Sequence, residues 1–314
     1  MGNIIIPENP NFSAEIEEFL TTTPAHADEF NKRLKALLED LVYLNNNKFD
    51  KAKIVESLNI TEPGYIPDGI VVAKAIEDVK NSTSAGYDGV NLNMTFAQLK
   101  AKIATGDFSG LHLYDYIDFT MNGGEAVRAE IMGFNTMLYF GDTMVTKPHV
   151  LMQFRDCLAT AYKYNDSNTN TGGYDASALK NTMENTIYNA LPADLRGAIL
   201  TCPRLESTKG NWGWKARNIF LPTEVEVFGN VSWSEPGYGT GGSKQWEGYA
   251  TSYKHVLKGL GKGAADRGSR YYWWLSVPSA SNTTAFCYVD YNGYASNTYG
   301  ASNAYGVAPA FLIG

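Results

Sequence analysis

The chain is poor in cysteine, histidine and formal charge. Of its 314 residues only 3 are Cys and 4 are His, and 19% are charged. Cys157, Cys202 and Cys287 are odd in number, widely spaced and without a C-x-x-C pair. That pattern excludes a disulfide framework and a zinc site of ordinary spacing, and leaves buried free thiols as the expectation. His26, His112, His149 and His255 show no metal-ligand spacing and are expected to be structural or solvated. No G-x-S-x-G or P-loop string occurs, since Gly259-Leu260-Gly261-Lys262-Gly263 lacks the Lys-Ser/Thr ending. A basic excess is missing as well. Lys and Arg number 26 against 33 Asp and Glu, a net charge of −7, which argues against a nucleic-acid partner. No apolar run approaches the ~20 residues of a membrane span. Met1 to Pro7 lacks the basic and apolar regions of a signal peptide, so the expectation is folding in a cytoplasm, without membrane insertion.

What the chain has in abundance is rings with a polar handle: 20 Tyr beside 14 Phe and 6 Trp. Such side chains give large contact area for little rotamer entropy, and tilt the composition toward binding. At roughly 150 residues per domain the length suggests about two domains.

The N-terminal region reads as helical. A short amphipathic segment spans Ser13 to Leu20, and a second helix carries Phe30, Leu34, Leu37, Leu41 and Leu44 at spacings of 4, 3, 4 and 3, a heptad seam. Two heptads are too short for an isolated coiled coil, so the seam either closes an oligomer or packs on the preceding helix. Residues 1–62 are delimited as this helical region, an oligomerisation region on the first alternative and an intrachain packing unit on the second. A linker or small helical region follows over 63–110, including a short helix on Val72, Ile76 and Val79 and another from Thr95 to Ala104 with Phe96, Leu99 and Ile103 on one side.

From 111 to 314 the texture is mixed α+β. Strands are predicted at Tyr116 to Met121, Ala126 to Phe134 and Asn218 to Phe228, and helices at Val150 to Tyr162, Ala176 to Ala190 and, more weakly, Asp194 to Leu200. Glu224 and Glu226 on the third strand are expected at an edge or surface. The Gly-rich stretch Glu235 to Gly242 is expected to be irregular. Among the tryptophans, Trp212, Trp214, Trp233, Trp246, Trp273 and Trp274, a sugar-stacking platform is one possibility. Core packing is expected for Trp273 and Trp274 and exposure for Trp246.

The functional signal concentrates after Arg270. Seven tyrosines fall here: Tyr271 and Tyr272 directly precede Trp273-Trp274, and Tyr288, Tyr291, Tyr294, Tyr299 and Tyr305 lie between it and an apolar terminal strand. A solvated low-complexity tail would not carry those brackets. Asn292-Gly293 predicts a two-residue hairpin turn with Tyr291 opposite Tyr294. That register places Tyr291, Tyr294 and Ser296 on one face and Tyr288, Asp290 and Tyr299 on the other.

The stretches Phe220 to Gly229, Tyr272-Trp273-Trp274-Leu275-Ser276 and Gly306 to Phe311 resemble the terminal domain of variable proteins targeted by diversity-generating retroelements. Gly133 to Thr136, Tyr139 to Thr143 and Asn168 to Tyr174 are similar to bacteriophage proteins carrying that domain. Ile5 to Phe12 with Pro24 to Ala27 resembles the start of phage tail and receptor-binding proteins. The resemblance implies a C-type lectin-like fold with irregular loops over 111–314 and a variable segment over 271–305. It also implies a non-enzymatic receptor-binding role in a virion tail, directed at a host-cell protein or glycan. Carried over, the candidate diversified positions are Tyr271, Tyr272, Ser276, Thr283, Thr284, Tyr288, Asp290, Tyr291, Tyr294, Ser296, Thr298, Tyr299 and Tyr305. Other tail proteins would be partners, and a homotrimer is favoured over a dimer. No cofactor is implied. Glu235-Pro236-Gly237 lacks the third-position side-chain carbonyl of a lectin calcium motif, so no calcium site of that kind is expected. The competing class is a carbohydrate-binding module or a formylglycine-generating-type enzyme on a related fold.

Overall fold

The computed structural model describes residues 54–55, 66–67, 88–239, 244–261, 263–264 and 268–314. The chain divides into two compact units, Met1–Val79 and Lys80–Gly314. In the first, Ile54–Val55 pairs in parallel with Ile66–Pro67. The predicted N-terminal helices, including the seam Phe30, Leu34, Leu37, Leu41 and Leu44, lie outside the described residues, as does the helix on Val72, Ile76 and Val79.

The second unit mixes helices with a curled sheet. Its first helix, α1 (Phe96–Ala104), starts in a capping box: Gln98 N donates to Thr95 Oγ1 while Thr95 N donates to Gln98 Oε1. Phe96, Leu99 and Ile103 form its buried stripe, and Phe96 meets Phe311 edge to face at 6.3 Å. β1 (Tyr116–Thr120) and β2 (Ala126–Phe134) form a hairpin in which Asp118 faces Arg128 and accepts a bidentate pair of bonds from it.

β3 (Val150–Phe154) corrects the predicted helix from Val150 to Tyr162. All five of its residues are buried, so the run has no alternation to separate it from a buried helix. β4 (Tyr162–Lys163) follows. The predicted second helix forms as α2 (Ala178–Thr182), carried on by a π-helical turn, Met183–Ile187, and a last turn, Tyr188–Ala190. Then come α3 (Ala193–Ala198), β5 (Ile199–Leu200) and a hairpin of β6 (Cys202–Ser207) and β7 (Trp212–Arg217).

The predicted strand Asn218 to Phe228 is corrected in its second half, where α4 (Glu224–Phe228) forms. Thr223 and Glu226 make a second capping box there, a signal present in the sequence as Thr-x-x-Glu ahead of apolar residues. Glu224 and Glu226 are buried rather than at an edge. Glu224 accepts from Ser232 N, Trp233 N, Ser234 N and Ser234 Oγ, while Glu226 takes a bidentate pair from buried Arg204. Trp246, expected to be exposed, is instead fully buried at the start of α5 (Glu247–Thr251), between Phe220 and Tyr249. Within the Gly-rich stretch, Pro236–Gly239 forms a 3-10 turn.

The last strands are β8 (Trp273–Pro278), β9 (Phe286–Val289), β10 (Ala295–Ser296), β11 (Ala304–Tyr305) and β12 (Ala310–Ile313). β12 is inserted into the main sheet, whose order is β1-β2-β3-β12-β5, with Ala310 opposite Gln153 and Leu312 opposite Leu200. β8, β9 and β10 make a separate antiparallel sheet, and β11 pairs with β4. Trp273 and Trp274 are fully buried, as expected, and so are the three free cysteines; burial pushes the Cys202 thiol up to about 12.

His149 is fully buried, with Nδ1 against Lys147 O and Nε2 accepting from Met137 N at 3.0 Å. That acceptor role requires the neutral ring, and burial holds its pKa below the ordinary 6.5. A depressed folded pKa contributes stability above the unfolded value that is lost as pH falls below it. Urea midpoints are therefore expected to drop between pH 7 and 5, with a smaller drop in His149→Asn; equal slopes would contradict this role. Trp273 fills the core with Nε1 on Val256 O at 3.0 Å. Trp273→Ala is expected to cost about 3–5 kcal/mol in the same measurement.

Candidate functional site

The pleat of β8 points alternate side chains to opposite sides, so Trp274 and the preceding Tyr272 share one face. Trp274 lies opposite Tyr288, and Tyr288 opposite Ser296. The ring of Tyr272 therefore sits over the small sheet. It contacts Tyr271, Tyr288, Tyr291, Tyr299 and Tyr305 with centroids 5.0–6.3 Å apart. Below them Trp274 meets Tyr305 at 4.6 Å, Tyr288 at 5.8 Å and Tyr164 at 5.1 Å. Six of the seven C-terminal tyrosines thus form one cluster on a tryptophan floor.

The cluster is graded in depth. Tyr288 is 1% exposed, and its hydroxyl accepts from Ser296 Oγ at 2.9 Å. Tyr305 is also buried, Tyr271 and Tyr272 are half-buried, and Tyr291 and Tyr299 stand 49% and 48% exposed at the rim. Burial, and then the neighbouring phenols, raise the Tyr272 and Tyr305 hydroxyls above their ordinary value. Both are therefore neutral hydrogen-bonding groups at physiological pH.

The turn that presents Tyr291 differs from the two-residue form predicted. Asp290 N donates to Tyr294 O and Gly293 N to Asp290 O, so the loop has three residues and Asp290, not Tyr291, faces Tyr294. Gly293 takes a φ of +92°, the left-handed position of such a loop. The one-residue change reverses the predicted parity, so Tyr288 and Ser296 share a face. Asp290 Oδ1 accepts from Asn292 N and Tyr294 N, which makes it a turn former.

Of the remaining predicted positions, Ser276 is buried in β8 and donates its backbone N–H to Pro222 O. Thr298 is exposed and lies 3.3 Å from Ser296 Oγ. Thr283 and Thr284 are exposed on the loop 279–285, while Tyr294 lines a different groove, with Trp233 and Tyr253.

Asparagine amides, buried at Asn170 and Asn297 and half-buried at Asn282, hold these loops. Asn170 Nδ2 lies within hydrogen-bond distance of Ser279 O, Asn282 O and Ala285 O, and Asn170 N donates to Thr283 O. Asn282 Nδ2 donates to Asn297 O, and Asn297 Nδ2 to Ser279 Oγ. At the back of the cluster Gly306 bonds to Trp274 and Tyr272 through its backbone, and a Cβ there would lie 2.4 Å from Cys157 Sγ.

Residues 141–314, more than half of the chain, match the model of a family described as a domain of unknown function, DUF6273. The chain belongs to that family. The matched span includes every strand of the tyrosine-bearing sheet and excludes only β1 and β2 of the main one. Comparison with curated proteins and with solved structures finds no match.

Asn170→Ala would leave buried carbonyls unpaired, at a cost of about 1–3 kcal/mol. Denaturation should register that loss, and amide exchange should speed up at residues 279–285. Unchanged exchange in that loop would contradict its anchoring by Asn170.

Proposed function

We propose that this is a non-enzymatic receptor-binding protein of the bacteriophage-tail kind. Its C-terminal domain uses a C-type lectin-like scaffold to display a face diversified by a retroelement. The observation that carries the reading is the tyrosine cluster: residues from Tyr271 to Tyr305, scattered over the predicted variable segment, converge on Tyr272. A Tyr-rich face with Ser and Thr at its margin has the composition of a paratope. Its exposed rings rest on a scaffold whose hydrogen bonds and core contacts come from other residues. That division suits a surface meant to vary.

The same reading makes residues 271–305 the recognition segment and a host-cell surface protein or glycan the ligand. The N-terminal region attaches and oligomerises the protein, with a trimer favoured because several weak faces gain avidity when linked. The state of Cys287 favours binding over thiol chemistry, because burial holds its thiol protonated well above its ordinary range.

Tyr291→Ser and Tyr299→Ser test the reading directly. Each is expected to change stability by no more than about 1 kcal/mol. Adsorption of purified protein to host cells should lose about 2 kcal/mol or more for at least one of them. Adsorption unaffected by both changes, together with their double variant, would overturn the proposal.

A further inference from the structure

A second aromatic surface lies outside the tyrosine cluster. Phe228, Asn230, Ser232, Trp233, Tyr253 and Tyr294 line an open groove of about 430 Å³, within the range of small-ligand sites. Trp233, Tyr253 and Tyr294 are 43%, 50% and 66% exposed. Singly exposed rings need no explanation, but three around one groove do.

Two of the rings are held in place through their polar ends. Trp233 Nε1 donates to Ala295 O at 3.0 Å and Tyr253 Oη to Gly293 O at 2.7 Å. The backbone beneath Trp233 is fixed too, since its N–H and those of Ser232 and Ser234 converge on the buried carboxylate of Glu224. Rings anchored in this way lose little freedom when a ligand arrives. Ser232 Oγ donates to Asn230 Oδ1, so the amide nitrogen of Asn230 is the donor that remains for a ligand hydroxyl.

We propose that this groove is a subsite for a neutral glycan, with the apolar face of a pyranose ring laid on Trp233 or Tyr253 and its hydroxyls met by Asn230 and Ser232. No charged residue lines the groove among the described residues, so a phosphorylated or acidic ligand would find no cation, and the nearby carboxylate of Asp290, which is felt at Tyr253, is engaged by the N–H groups of Asn292 and Tyr294. An apolar peptide anchor is best held in an enclosed, fully desolvated pocket, whereas this groove is open. A sugar ring alternates C–H and O–H groups, as the groove alternates ring faces with polar side chains. The assignment stands independently of the ligand of the tyrosine face.

Cellotetraose, maltotetraose and chitotetraose, titrated at millimolar concentration into the full chain, provide the test, with calorimetry and tryptophan fluorescence as readouts and sorbitol as the control polyol. At least one of the sugars is expected to saturate with a fluorescence change, and Trp233→Ala to weaken it by about tenfold or more. Tyr253→Ala, an exposed change, decides the matter if Trp233→Ala melts early. Tyr253→Phe, which keeps the ring but frees it, should weaken binding less than Tyr253→Ala, and Tyr139→Ser, at an exposed ring outside both aromatic surfaces, should leave it unaltered. Absence of saturable binding by all three sugars would overturn the proposal. So would binding indifferent to Trp233 and Tyr253, or capture of the peptide Gly-Trp-Gly with none of the sugars.

Discussion

Trp274 is held between two layers of rings, and the candidate binding face depends on that placement. On its inner side Tyr164 meets it at 5.1 Å and stacks on Phe286 at 3.6 Å; on its outer side Tyr288 and Tyr305 pack against it. Its Nε1 donates to Tyr162 O at 2.8 Å, which ties the ring to β4. Aromatic pairs of this edge-to-face kind add about 0.5–1.5 kcal/mol each beyond the area they bury. The face is therefore rigid from below, and the rim tyrosines can differ in identity without being asked to hold the sheet together.

The loops around the face are fixed by buried polar groups rather than by apolar packing. Glu224 satisfies the backbone of residues 232–234, Asn170 that of residues 279–285, and Arg204 closes on Glu226 beneath the capping box of α4. Arg217 gathers Glu206, Glu184 and Asp175 at the β6–β7 hairpin. Buried ion pairs of this sort are weak evidence for net stability, because desolvation offsets much of their attraction, but removing one partner is costly. Their effect here is to give irregular backbone a single conformation. An irregular backbone with fixed anchors positions two distinct aromatic surfaces, one on each side of the turn at Asp290–Tyr294.

Sequence patterns revealed those elements whose burial is one-sided. The 3-4 spacing of Phe96, Leu99 and Ile103 marks α1, and the bounds of β2 coincide with the predicted strand from Ala126 to Phe134. Trp273 and Trp274 read as core because they open an apolar run. Where burial is two-sided the pattern fails: Val150 to Phe154 is apolar throughout, and both helix and strand satisfy it. Glu224 was misread because a charged residue is almost never fully buried unless paired, and its partners are backbone N–H groups eight to ten residues away. The tyrosine-rich segment was legible as a composition, but its register was not. One residue in the turn decides that Ser296 shares the face of Tyr288, and only tertiary packing shows that Tyr294 leaves the cluster for the groove beside Trp233.

On the proposed reading the tyrosine face and its floor have opposite roles, variation above and constancy below. The nucleotide sequence around the gene tests that division most directly. A nearby reverse transcriptase gene is predicted, together with a template repeat of the 271–305 segment that differs from it at adenines, including those in the codons for Tyr291 and Tyr299. A locus with no such repeat, or one whose differences fall only in the codons of floor residues such as Trp273, Trp274 and Phe286, would contradict it.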